Sequence, residues 1–189
     1  MTIQTDGTDK NGNYNILSKH VEGQKLRRII DIGAWWGPWS LHWQPHAEKL
    51  EIFEPNNQIL PMLEHNISTY NNCTLHKTAL GETEGTVSMQ YDTHSGTNHI
   101  TESHGDVEIN TLDSYNFGDV DVIKIDVDGF EIPLLTGAIE TLTKNNPVIN
   151  IEMKESKRSD IVSRSRQILE NYGYKFHSRT KSDEVWMKS

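Results

Sequence analysis
The sequence has a single cysteine, Cys73, which excludes an internal disulfide framework and a cysteine metal cluster. No stretch comes near the ~18 apolar residues that cross a bilayer. The polar start over residues 2–15 also lacks the apolar segment of a signal peptide. A cytoplasmic chain with no membrane partner is therefore expected. Basic charge is scarce too: 18 Lys and Arg stand against 27 Asp and Glu, a formal net charge of −9. With no basic run or stripe to follow a phosphate backbone, nucleic acid is not an expected partner.

What is present suits one globular unit. A chain of 189 residues, 34% apolar and 24% charged, is long enough for a sheet with helices on both faces, so residues 1–189 are read as one domain. Residues 1–15 are poor in apolar side chains and read as a loosely held arm. From Arg28 onward, short apolar runs alternate with helix-length segments. Strands are expected over 29–32, 50–53, 73–76, 120–125 and 148–151, and helices over 38–44, 57–70, 131–143 and 160–172. Such alternation predicts an α/β fold with a mostly parallel sheet. Two segments break the rhythm. Residues 81–105, with an apolar run at 87–91, read as an inserted hairpin or flap, followed by a possible strand at 107–110. Residues 174–178 and 184–188 flank Lys181-Ser182-Asp183 as a final antiparallel hairpin.

The run RRIIDIGAWWGPWS joins a buried strand to a helix through a turn holding Gly33 and Gly37. In doubly wound sheets ligands bind beyond the carboxyl ends of the strands, and the first such turn lets backbone approach a nucleotide. Asp31 would end that strand. The second strand ends in Phe53-Glu54-Pro55, where an acid suits ribose hydroxyls. Together Asp31, Gly33, Gly37 and Glu54 make a nucleoside pocket; the glycine pair by itself is equally a tight turn. A dinucleotide would want G-x-G-x-x-G for its pyrophosphate, but Trp35 and Ser40 have no glycine to offer there. That disfavours a nicotinamide-dependent oxidoreductase. A noncatalytic nucleoside binder is a further alternative.

The chemical end reads from DVIKIDVDGFE. Asp126 would close the fourth strand, with Asp128 and Glu131 beyond it, and the next strand would end at Glu152. Neighbouring strand tips lie about 5 Å apart, so Asp126 and Glu152 come within reach of one metal or one substrate. The plainer reading pairs Lys124 with Glu131, lets Asp128 cap a helix and leaves Glu152 in solvent. His94, His99 and His104 read as loop histidines in the insert, although one of them at a flap could act as base. The tryptophans at 35, 36, 39 and 43 have two readings: helix packing, pairing 35 with 39 or 36 with 43, or a stacking surface for a sugar or adenine.

IDIGAWWG, the EPN from Glu54, TALG from Thr78, TLDSY from Thr111, KIDVDGFE from Lys124 and NIEM from Asn150 occur in an order that resembles the FkbM-type methyltransferase family, over residues 29–153. The resemblance implies a Rossmann-like class I methyltransferase with a mostly parallel seven-stranded sheet ending in an antiparallel hairpin. It also implies S-adenosylmethionine as cofactor and O-methylation of a hydroxyl on a sugar or other small metabolite. Asp31, Gly33, Ala34 and Gly37 would then line the methionine and sugar side, Glu54 with Pro55 would hold the ribose, and Thr78-Ala79 would border the adenine. Asp126, Glu131 and Glu152 are the catalytic candidates. A divalent metal such as Mg²⁺ stays open, with its ligands unknown, as does the oligomeric state. The family usually carries Asn where this chain has Trp35 and Glu where it has Asp128. Because Asn reaches positive φ more readily than Trp, a reshaped cofactor turn is expected.

Overall fold
The computed structural model describes residues 15–21, 23–91, 98–101 and 105–188. The arm over 1–14 and the histidines at 94 and 104 fall outside the described residues, as does the side chain of His99. In chain order the elements begin with α1 (Asn15–Val21), β1 (Leu26–Ile32), α2 (Pro38–Trp43), β2 (Ala47–Phe53), α3 (Leu60–Ile67) and β3 (Cys73–His76). An insert follows, made of β4 (Ala79–Leu80), β5 (Gly85–Tyr91), β6 (Asn98–Thr101) and β7 (Val107–Asn110). The second half holds β8 (Val120–Ile125), α4 (Glu131–Thr136), α5 (Ile139–Asn145), β9 (Val148–Glu152), α6 (Glu155–Asn171), β10 (Lys175–Arg179) and β11 (Asp183–Met187).

The main sheet has seven strands in the order β10-β11-β9-β8-β1-β2-β3. β3, β2, β1, β8 and β9 run parallel, while β11 pairs antiparallel with both β9 and β10. This is the expected mostly parallel α/β sheet with its terminal antiparallel hairpin. The chain reverses its direction of travel across the sheet between β1 and β8, which leaves a crevice at their carboxyl ends. Leu17, Trp39, Trp43, Leu63 and Ile67 from α1–α3 pack on one face. Leu134, Leu142, Val162 and Leu169 from α4–α6 pack on the other. The central strands are buried on both faces, which is why their sequences read as continuous apolar runs rather than alternating ones.

Three expectations are corrected. The helix expected over 57–70 is α3, starting at Leu60, because the Asn56 side chain accepts the Gln58 N–H (2.8 Å) and holds 56–59 in a turn. The helix expected over 131–143 is two helices. A Cβ on the intervening Gly137 would lie 1.9 Å from the Gly81 carbonyl oxygen, so the chain there must press backbone against backbone. The insert is larger than one hairpin: β5 and β6 do pair antiparallel, but β4 and β7 extend them into a four-stranded sheet. Ala79, Val107 and Ile109 bury its own small core. Among the described residues no helix is long and apolar enough to cross a membrane.

Candidate active site
The crevice contains a cavity of about 280 Å³. Its floor is formed by the strand tips: Ile32 and Gly33 from β1, Phe53 and Glu54 from β2, and Asp126 and Val127 after β8. The Gly33 and Ala34 N–H groups both donate to the Phe53 carbonyl (3.0 and 3.2 Å), and the Asp126 N–H donates to the Ile32 carbonyl (2.9 Å). Gly33 is required there twice over. Its φ is +80, and a Cβ would lie 1.8 Å from the Asp126 carbonyl oxygen.

Trp35 follows at φ +54, so the turn is not rebuilt to spare the bulky residue a left-handed conformation. Its backbone N–H donates to Glu54 Oε2 (2.7 Å), while the Asn56 N–H donates to Oε1 (2.8 Å). Glu54 is thus buried at the cavity wall with each oxygen pinned by one backbone donor. Each keeps a further lone pair for a ligand hydroxyl. Burial raises its pKa to about 7, against the pull of those two N–H groups and with added repulsion from Asp31 and Asp126.

Of the positions expected around a cofactor, Gly33, Glu54, Pro55, Thr78 and Ala79 line the cavity. Asp31, Ala34 and Gly37 are not among the lining residues. Asp31 is buried and accepts the Ser40 hydroxyl (2.5 Å), tying β1 to α2; burial lifts its pKa to about 6. Ala34 joins the α1–α3 core, and Gly37, at φ +91, abuts Leu63. Leu80, Met89 and Ile100 complete an apolar wall. The last two come from the β5/β6 hairpin and carry no sequence signal, because nothing local shows which way a hairpin folds. The tryptophan pairing differs from both expected pairs. α2 begins only at Pro38, so Trp39 and Trp43 meet across one helical turn with tilted rings (5.8 Å), while Trp35, 47% exposed at the cavity, meets Trp36 (5.5 Å).

Asp126 and Asp128 line the other wall, and with Glu152, which is not among the lining residues, they offer oxygens within 4.8 Å of one another. Cationic side chains already meet them. Lys154 Nζ lies 2.7 Å from Glu152 Oε2 and 3.3 Å from Asp128 Oδ1, which Arg158 also reaches at 3.3 Å. Asp128, at φ +49, does not cap α4; the N-cap position is Phe130, without a side-chain cap. Lys124 does not pair with Glu131 either: its Nζ is 3.5 Å from Asp126 Oδ2 and 3.5 Å from Asp183 Oδ2. Glu131 is buried outside the cavity lining and accepts the Gly129 N–H (3.0 Å). Burial works against charge on Asp126, but Lys124, the hydrogen bond with Glu152 and Lys154 outweigh it and hold Asp126 below the usual carboxylate range. Burial and then the Asp126 charge push Glu152 the other way, well above it. Joined by a hydrogen bond, the two carboxyls titrate as a pair, with the first proton leaving below the usual carboxylate range and the second above it.

The sequence matches the family model of the Methyltransferase FkbM domain over residues 31–176. The chain belongs to this methyltransferase family. A solved methyltransferase FkbM from Methylobacillus flagellatus KT superposes with a TM-score of 0.63 at 17% identity, over 86% of this chain and 44% of that one. This chain thus spans under half of that protein. A precorrin-6y C5,15-methyltransferase from Geobacter metallireducens GS-15 gives 0.59 at 14% identity, over 93% and 86% of the two chains. Fibrillarin from Aeropyrum pernix, solved with natively bound S-adenosyl-L-methionine, gives 0.55 at 11% identity, over 93% and 75%. These likenesses are of fold. No curated protein sequence matches the chain.

Proposed function
We propose that the protein binds S-adenosylmethionine in this cavity and methylates a hydroxyl oxygen of a small metabolite, with sugars as the leading acceptor class. The observation that carries the reading is Glu54, a buried acid held by the Trp35 and Asn56 N–H groups on one wall, with the ionised Asp126 on the other. The residues fit the cofactor. Glu54 would take the ribose diol, and Thr78, Ala79 and Leu80 would border the adenine beside Phe53. Bound there, the cofactor would supply an electrophilic methyl group on a sulfonium, with the thioether as its leaving group. Asp126 takes the hydroxyl proton as the acceptor oxygen attacks, and Glu152 steadies the receiving carboxyl through their hydrogen bond.

Calorimetric titration with S-adenosylmethionine, its demethylated product and NAD tests the binding half. Incubation with the methyl donor and a set of hydroxylated acceptors, read by mass spectrometry, tests the transfer half. Heat from NAD and none from either sulfur compound would sink the proposal.

A further inference from the structure
A proton-accepting Asp126 has an ammonium only 3.5 Å away, on the Lys124 side chain, which is 6% exposed. A cation at that distance favours the carboxylate and makes it a weaker base. The structure supplies a second carboxylate on the far side of the same ammonium. Asp183 Oδ2 also lies 3.5 Å from Lys124 Nζ, and its side chain is 1% exposed. The hairpin turn has its own local bonds. The Asp183 N–H donates to Thr180 Oγ1 (3.0 Å), its carbonyl accepts the Thr180 N–H (2.9 Å), and Ser182 Oγ donates to Oδ1 (3.1 Å). Oδ2 has no hydrogen bond and faces only the ion pair.

Three adjacent strands deliver this cluster. Asp183, at the start of β11, is in register with Glu152 on β9, and Lys124 on β8 is in register with Asn150 on β9. Buried ion pairs of this kind are weak sources of stability, since apolar side chains of similar volume pack as well. Stability alone therefore does not account for a charged residue sealed at this turn. Asp183 also lies beyond residue 176, where the family match ends.

We propose that Asp183 is a positioning residue for methyl transfer: it shares the Lys124 ammonium, so that Asp126 is oriented toward the cavity without its capacity to accept a proton being quenched. The inference rests on Asp126 being the proton acceptor. Asp126 is also faced by Asp31 from β1, Glu54 after β2, Asp128 and Glu131 around the start of α4, and Glu152 and Lys154 at the end of β9. Of its neighbours, Asp183 alone acts through Lys124 from the C-terminal hairpin.

The test is a carbon-detected NMR titration of the side-chain carboxyls in the whole protein, with Asp183→Asn against the parent. Removing the Asp183 charge leaves Lys124 to Asp126, with Asp31 and Glu152 as its remaining acidic neighbours. The titration of the Asp126–Glu152 pair should then move down by about one pH unit, a tenfold loss of proton affinity. Asp183→Glu should restore it, and affinity for S-adenosylhomocysteine should not change. On an identified acceptor, kcat should fall and KM should not. An unmoved titration in folded Asp183→Asn overturns the proposal. Should that variant fail to fold, Lys124→Met with Asp183→Leu replaces the cluster by apolar packing, and the pair should titrate close to the parent because the ammonium and the carboxylate that offsets it leave together. A titration well above the parent in that double variant would mean that Asp183 had offset little of the ammonium, and overturns the proposal equally. An error in the role of Asp126 shows elsewhere, as full turnover in Asp126→Asn, and leaves the titration result standing.

Discussion

The two walls of the cavity hold negative charge by different means. Around Glu54 the donors are backbone N–H groups from Trp35 and Asn56, on segments close in sequence to the strands they follow. Around Asp126 the partners are side chains from β8, β9, α6 and β11, up to 59 residues from Lys124 to Asp183. Backbone donors bring no compensating charge and leave an acid with a raised pKa. Side-chain cations bring full charge: they hold Asp126 below the usual carboxylate range, while burial and the Asp126 charge push its neighbour Glu152 above it. The first arrangement suits recognition of neutral hydroxyls; the second suits moving a proton.

The sharpest way to separate the walls is Asp126→Asn, which keeps size and removes charge. It should lower kcat by about 10²–10⁴ while leaving S-adenosylhomocysteine affinity nearly unchanged in calorimetry. A parallel loss of affinity would mean that the walls do not divide the work. Gly33→Ala attacks the seam between them, because its Cβ would meet the Asp126 carbonyl oxygen at 1.8 Å and its φ is +80. We expect a loss of about 3 kcal/mol in chemical denaturation; full stability would show that the two strand tips part easily.

On the recognition wall, Glu54→Ala should weaken S-adenosylhomocysteine binding by about 1.5–3 kcal/mol, or roughly 10- to 150-fold. The pH dependence follows from the raised acid. Between 4.5 and about 7 the folded protein holds a Glu54 proton that the unfolded chain has lost, so the Glu54 contribution to stability falls as pH rises through that window. Ligand hydroxyls favour the carboxylate, so affinity should rise over the same window, about tenfold for each unit by which binding lowers the pKa. A flat profile, or one that Glu54→Gln does not flatten, would contradict this assignment. The smallest effect is expected from Trp35→Asn, which retains the N–H to Glu54 and eases the left-handed backbone. Stability should shift by less than about 1 kcal/mol, since relief of strain offsets the lost contact with Trp36. A large drop in cofactor-product affinity would show instead that the exposed indole touches the ligand.

The sequence by itself determined the seven main strands to within a few residues, since buried parallel strands are continuous apolar runs bounded by turn residues and need no partner to be recognised. It also named Gly33, Glu54, Pro55, Thr78 and Ala79, which line the cavity and each belong to a motif local to one strand end. Only the tertiary structure decided that Asp31 turns inward to Ser40, that Met89 and Ile100 swing from the insert onto the cavity, and that Asp183 meets Lys124. Asp183 stood in the sequence as an ordinary turn residue, and Lys154 as an unremarked lysine after a strand. Their meaning depends on the strand order that sets β11 beside β9 and β9 beside β8. Pairings of that kind are non-local: side chains from separate strands meet only once the sheet has assembled, and no spacing along the chain records which of them will face each other across a buried charge.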